Sequence, residues 1–212
     1  MLYCVIIALM KDHKRSKDYQ AIRKGYQTKI ISHLAKGTNK NSALDLGCGT
    51  GQVASILSDL FNHVIGTDIT KERIAEAKKT HKHIKNLKFK IEGAEKISAK
   101  DNSMDLVSAA QCFMYFDQKI AIPEIKRVLK PGAKLALLWK YQNAKCPYAK
   151  LAKKVILKTH KKFKVNIGLR VGESRKELVR STISKDTLKD YGFTNYKFET
   201  LHEIQIFKKI LY

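Results

Sequence analysis

Apolar positions along the chain fall into two alternating rhythms. Residues 43–46, 63–68, 87–91, 104–110 and 134–139 read as short strands rich in apolar residues. Between them lie segments of helical period: Val53, Ile56, Leu57 and Leu60 share one face, and 71–79 and 119–129 read the same way. Upstream, 19–34 predicts a helix with Ile22, Tyr26, Ile30 and Leu34 on one face, ended by Gly37-Thr38-Asn39. Thr70 is placed to cap the helix at 71–79. Pro123 is expected in the first turn of 119–129, and Lys130-Pro131-Gly132 as a turn into the last of these strands. The strands lack two-sided alternation, which predicts a parallel sheet covered on both faces. Right-handed crossovers then make the fold doubly wound. Past Trp139 the pattern breaks. Tyr148, Leu151, Ala152 and Val155 form a helical stripe backed by lysines, 184–190 reads as a short helix, and 196–200 and 203–207 read as strands.

No internal repeat or low-complexity linker divides the 212 residues, a length that suits one domain with one core. The expected division is a helical segment at 1–36, a core at 41–139, a basic helical stretch at 140–190 and terminal strands at 191–212. Residues 1–10 are almost wholly apolar but too few to span a bilayer. A signal peptide carries its charge before the apolar run, whereas the basic residues at 11–17 follow it. A packed segment, or an extension from an upstream start codon, is expected there, with no membrane partner.

Hydrophobic residues make up 44% of the chain and charged residues 29%, which excludes a disordered polymer. Cys4, Cys48, Cys112 and Cys146 form no C-x-x-C pair and no zinc spacing, so reduced thiols in a cytoplasmic protein are expected, with no metal site. The net charge of +23 raises a nucleic-acid partner. Against it, only 7 of the 42 basic residues are arginine, the residue suited to bidentate phosphate recognition. Lysine excess also follows from codon bias. His81 and His83 are the one close histidine pair, and they read as solvated loop residues.

The chemistry concentrates in Leu44 to Gly51, L-D-L-G-C-G-T-G. An apolar run meets Gly47, Gly49 and Gly51 at alternate positions, and a helix follows at once. That is a buried strand, a tight turn and a helix N-terminus, whose free N–H groups suit an acidic ligand group. A dinucleotide fold wants G-x-G-x-x-G. Here the spacing is G-x-G-x-G, and Asp45 sits two residues before the first glycine. A buried carboxylate repels pyrophosphate and suits an ammonium group, such as the amino-acid end of S-adenosylmethionine. Asp68 ends the second strand, where a carboxylate can accept hydrogen bonds from both ribose hydroxyls. Ile69 either covers an adenine face or packs in the core.

These strings resemble class I S-adenosylmethionine-dependent methyltransferases of the type 11 group, and more narrowly trans-aconitate methyltransferase-like enzymes. The matching features run from Tyr19 to about Phe193. They are Tyr19, Arg23 and Tyr26 before the glycine motif, Asp68, Ala94-Glu95, Met104-Asp105-Leu106-Val107 leading to Ala109-Ala110-Gln111, Tyr115-Phe116-Asp117, and Glu124 with Arg127-Val128-Leu129-Lys130-Pro131-Gly132. The resemblance implies an α/β Rossmann-like fold, a doubly wound, mostly parallel sheet in three layers, with a basic lid after the fifth strand. It implies S-adenosyl-L-methionine as cofactor, held by Asp45, Gly47, Cys48, Gly49, Gly51, Asp68, Ile69, Gly93, Ala94, Glu95 and Gln111. Relatives often carry an acid where this chain has Gly93, which leaves Glu95 as the candidate replacement. Tyr19, Arg23, Tyr26 and Tyr115 fall on the acceptor side. Tyr115 either faces the acceptor or packs in the core.

No catalytic residue is assigned, because the methyl donor is already activated and orientation supplies most of the rate. Met114 stands where relatives have a histidine, which removes an imidazole base. Residues 140–176 hold twelve Lys or Arg and one acid, Glu173. They are read as a solvated helix face, as a lid attracting an anionic small-molecule acceptor, or as a nucleic-acid surface. The expected activity is methyl transfer to a small acidic molecule. The alternatives are an RNA methyltransferase and a cofactor-binding scaffold without turnover.

Overall fold

The structure, a computed structural model, describes Tyr26, residues 28–139 and residues 190–193. The expected lid, the terminal strands, the apolar start and most of the helix at 19–34 lie outside the described residues. The chain divides into two compact units, one of residues 12–139 and one of residues 1–11 with 140–212. In the second, Asp190 is helical and Gly192 takes a positive φ of 83° after it.

The first unit holds α1 (Thr28–Leu34), β1 (Ser42–Leu46), α2 (Gln52–Ser58), β2 (His63–Asp68), α3 (Lys71–Thr80), β3 (Leu87–Ile91), β4 (Met104–Ala110), α4 (Gln118–Val128) and β5 (Leu129–Leu138). The five strands pair in the order β3-β2-β1-β4-β5, all parallel. β1 and β4 lie side by side where the order reverses, with Asp45 opposite Ser108 and Leu46 opposite Ala109. In an open α/β sheet this reversal leaves a crevice beyond the carboxyl ends of the strands.

Apolar burial explains the arrangement. β1 and β4 are buried along almost their whole length, as strands covered on both faces must be. Val53, Ala54 and Leu57 of α2, Ile74 and Ala77 of α3, and Ala121, Ile122, Ile125 and Val128 of α4 supply the covering side chains. β3 departs from the expected pattern. Leu87 and Phe89 are buried while Lys88 and Lys90 are exposed, so this strand alternates. It flanks only β2 among the described residues, and one face there meets water.

Three local expectations are corrected. α4 starts at Gln118, and Asp117 caps it by accepting the Lys119 N–H at 3.1 Å. Pro123 therefore falls at the sixth helical residue, not in the first turn. It lies on the exposed side of the helix, where a carbonyl left without its usual donor can be met by solvent. Lys130-Pro131-Gly132 is not a turn before β5 but a bulge inside it. Met104 pairs with Leu129 and Leu106 with Lys134, so Asp105 alone opposes four residues. Pro131 lacks a donor for the ladder, and Gly132 takes a φ of 76°. Asp105 secures the bulge, accepting from Lys130 Nζ at 2.8 Å and from the Ser42 N–H at 2.9 Å. Thr70 occupies the N-cap position of α3 without a side-chain capping bond.

Arg127 clamps α4 to the loop that leads into β4. Its guanidinium donates to the carbonyls of Ile97 and Ala99 at 2.7 and 3.1 Å and to Glu124 at 2.8 Å. Glu124 also accepts the Ile97 N–H at 2.9 Å, and these bonds hold its carboxyl at about 2, below the usual 4.5. A depressed carboxyl stabilises the fold above its unfolded value, and that stabilisation is lost as the pH falls toward the folded one. Arg127→Ala is expected to cost about 1–3 kcal/mol, since the clamp is partly exposed. Thermal melts should show a drop of roughly 3–10 °C. The variant should also lose part of the wild-type stability difference between about pH 5 and pH 3, read by denaturant titration.

Candidate cofactor site

β1 carries Asp45 into the middle of the sheet, in register with Gly66 of β2 and Ser108 of β4. Asp45 is 1% exposed. Its Oδ1 accepts the Ser108 hydroxyl at 2.7 Å, and its Oδ2 has no hydrogen-bond partner. Burial pushes this carboxyl up to about 7, the Ser108 bond and the Ala54 N–H pull it down, and the charge of Asp68 raises it.

The glycine turn follows. Gly47, Gly49 and Gly51 all take positive φ, at 60°, 59° and 87°. Their surroundings differ. A Cβ on Gly47 would lie 2.7 Å from both Cβ and Sγ of Cys112. One on Gly51 would strike the rings of Phe89 and His81 at 2.6 and 2.9 Å. One on Gly49 would meet nothing within 4 Å. The outer glycines are there for close packing as well as for conformation, and the middle one borders open space. The Cys48 N–H donates to the Thr67 carbonyl at 2.8 Å, which fixes the turn on β2.

Asp68 ties the pieces together. Its Oδ2 accepts the Gly49 N–H at 3.0 Å, and its Oδ1 accepts the Thr70 N–H at 2.8 Å. Arg73 Nη1 lies 3.7 Å from Oδ2. An ionised carboxylate has about four lone-pair sites, so each oxygen retains capacity for a hydroxyl donor. At 4% exposure, Asp68 reaches any ligand only by this remaining rim.

Ile69 is 76% exposed, which decides its open reading against core packing. Its Cγ2 lies 3.5 Å from where a side chain would start on Gly93, so the two residues border one another. Glu95 Oε2 lies 2.9 Å from the same point, and its Oε1 accepts the Asp117 N–H at 2.9 Å. The Glu95 carboxylate thus fills the space beside Gly93. Ala94 is buried. Gln111 takes a left-handed φ of 61°, unusual for a side-chain-bearing residue, and its N–H donates to Leu138. Tyr115 ends a short 3-10 turn, Phe113–Tyr115, and is 83% exposed, which also decides against core packing. Tyr26 is half-buried, while Tyr19 and Arg23 lie outside the described residues.

His81 is corrected as well. It is half-buried, its ring centroid lies 5.9 Å from that of Phe89, and its Nε2 is 3.1 Å from the Thr50 carbonyl. Burial lowers its pKa. It is a support of the glycine turn rather than a solvated loop residue. Sequence reasoning also missed Ser108 and Cys112. Ser108 is a lone hydroxyl in an apolar strand, and its partner 63 residues earlier is invisible without the sheet register. The Cys112 thiol donates to the Leu46 carbonyl at 3.1 Å, and burial raises its pKa, as it does for Cys48.

An orphaned carboxylate oxygen inside the sheet and an open space over Gly49 fit a ligand with a cationic amino-acid end. Comparison with known proteins agrees. Residues 44–137 match the family described as a methyltransferase domain. A Schizosaccharomyces pombe protein named an uncharacterised methyltransferase is 31% identical over 145 residues, covering 66% of this chain and 57% of the relative. A Mycobacterium tuberculosis protein of the same description is 33% identical over 121 residues, covering 57% of this chain and 48% of the relative. The chain therefore spans about half the length of these curated relatives. A crystal structure from Methanococcus maripaludis, assigned to S-adenosyl-L-methionine-dependent methyltransferases, shares the fold with a TM-score of 0.66 at 19% identity, covering 93% of this chain and 90% of that one. Residues 44–137 are thus similar to methyltransferase domains, a likeness that covers somewhat less than half of the chain. The narrower likeness to trans-aconitate methyltransferase-like enzymes rests on the sequence motifs alone. Among the described residues, no helix is long and apolar enough to cross a membrane.

The contrast between two glycines is testable. Gly47→Ala combines left-handed strain with a clash against Cys112. It should lower the melting temperature more than Gly49→Ala, whose strain alone costs about 1–2 kcal/mol. Gly49→Ala should instead weaken S-adenosylmethionine binding in calorimetry, because its methyl group enters the open space.

Proposed function

We propose that this protein transfers a methyl group from S-adenosylmethionine to a small acidic acceptor, in the manner of trans-aconitate methyltransferase-like enzymes. The single observation that carries the cofactor assignment is the unpartnered, buried Oδ2 of Asp45. Asp45 holds the cofactor's ammonium group. The backbone of Gly47, Cys48, Gly49 and Gly51 borders its amino-acid end. Asp68 accepts from the ribose hydroxyls. Exposed Ile69, the bare Gly93, the Ala94 backbone and Glu95 border the adenine, and Gln111 borders the methyl-donor end. When bound, the cofactor supplies a methyl group already activated on a sulfonium.

The chain's own task is positioning and exclusion of water. Exposed Tyr115 stands on the acceptor side, and the resemblance assigns Tyr19, Arg23 and Tyr26 to the same side. A carboxylate acceptor is ionised at neutral pH and needs no general base, which agrees with the absence of an assigned base in this reading. The chain's net charge of +23 also favours an acidic acceptor.

S-adenosylmethionine at a hundredfold excess over its dissociation constant should add about 2.7 kcal/mol of stability in a thermal melt. A shift with NAD and none with S-adenosylmethionine or S-adenosylhomocysteine would reject the assignment. Asp68→Ala should weaken cofactor binding at least tenfold, since bonds to a charged acceptor are worth about 1.5–3 kcal/mol each. Labelled methyl should appear on pooled small polycarboxylates and not on bulk RNA. RNA binding should be weak and largely gone by about 0.2 M salt, as non-specific phosphate contacts are. Methyl incorporation at a defined nucleotide would replace the small acid with RNA.

A further inference from the structure

We propose that Ser108 is a positioning residue that holds the Asp45 carboxylate ionised and oriented for the cofactor's ammonium group. The inference rests on the cofactor reading above and concerns a residue outside the glycine motif. Ser108 and Asp45 are direct partners across the β1–β4 ladder, at 2% and 1% exposure. Their side chains meet at 2.7 Å inside the sheet, where water does not compete. A serine hydroxyl has one proton to donate, and an ionised carboxylate can only accept, so this bond favours the charged form of Asp45. With Oδ1 engaged, Oδ2 makes no hydrogen bond of ordinary geometry, and beside the Ala54 N–H that favours the charge it keeps a lone pair for an incoming donor.

The other groups facing Asp45 do not help it ionise. Asp68, at the end of β2, repels a second negative charge. Cys48 in the turn and Cys112 after β4 interact with Asp45, and burial keeps both as neutral thiols. The Ala54 N–H of α2 favours the charged form but less strongly than Ser108 does. Burial and Ser108 thus oppose one another, and the carboxyl rests at about 7. A small loss of support there changes the charged fraction steeply at neutral pH.

The test follows the Asp45 carboxyl by carbon NMR in the ligand-free protein, in wild type and in Ser108→Ala. It then measures S-adenosylhomocysteine affinity against pH by calorimetry in both. The wild-type carboxyl should titrate near 7. In Ser108→Ala the midpoint should rise by about one to two pH units, the equivalent of one hydrogen bond to a charged group. Affinity at pH 7 should then fall by about five- to fifty-fold. The acidic limb of the affinity profile should move, while the alkaline limb, set by the ligand's own amino group, keeps its place. In an Asp45→Asn background, Ser108→Ala should add little, which excludes a general packing effect. An unchanged carboxyl midpoint, or an affinity loss equal at every pH, would overturn the role given to Ser108. Absence of ligand binding by wild type at any pH would instead reject the cofactor reading, and the carboxyl titration would still decide the role of Ser108.

Discussion

A carboxylate enclosed by a parallel sheet is the constraint around which this fold is arranged. Moving an ion from water into such an interior is strongly unfavourable unless partners replace its hydration. Asp45 has one hydroxyl partner and one oxygen without any. Its carboxyl therefore binds a proton in the folded chain up to about 7, where the unfolded chain has released it from about 3.8 upward. Over that range this group favours folding less and less as the pH rises. The fold carries that burden where β1 and β4 lie side by side and the strand order reverses. A group that weakens the empty protein and suits a cation is what a binding site for an ammonium-bearing ligand requires.

Around that carboxylate, two kinds of support hold the turn. The first is steric. Gly47 and Gly51 admit Cys112 and the Phe89 and His81 rings to distances that any side chain would forbid. The second is polar. Asp68 accepts from Gly49 and Thr70 together, which joins the glycine turn to the start of α3. Both supports come from residues distant in sequence, so the turn is rigid because the sheet behind it is ordered.

The strand limits of β2, β3 and β4 and the glycine motif were legible in the sequence because each depends on local pattern. A mostly apolar run such as β4, or the alternation of β3, can be read without knowing what it touches. The misreadings arise where a distant partner decides. Proline's preference points Pro123 to a first turn, but even a helix from Lys119 makes it the fifth residue, and the Asp117 cap makes it the sixth. The bulge at Lys130-Pro131-Gly132 exists because β5 regains register with β4, which no single strand reveals. Ile69 and Tyr115 are ambiguous in sequence because an apolar residue in a segment just after a strand is buried or bare according to what lies across from it. Ser108 drew no notice, since a serine in a strand is ordinary until its neighbour is an aspartate.

The bond from the Asp117 N–H to Glu95 has a consequence for how a ligand would be received. It connects the turn after β3, beside Gly93, with the segment after β4 that bears Tyr115. The two loops share one anchor, and so part of their configurational freedom is removed before anything binds. The entropy that a ligand must overcome to order one wall of the crevice is then already spent for the opposite wall. Order beside Gly93 and order around Tyr115 are then linked.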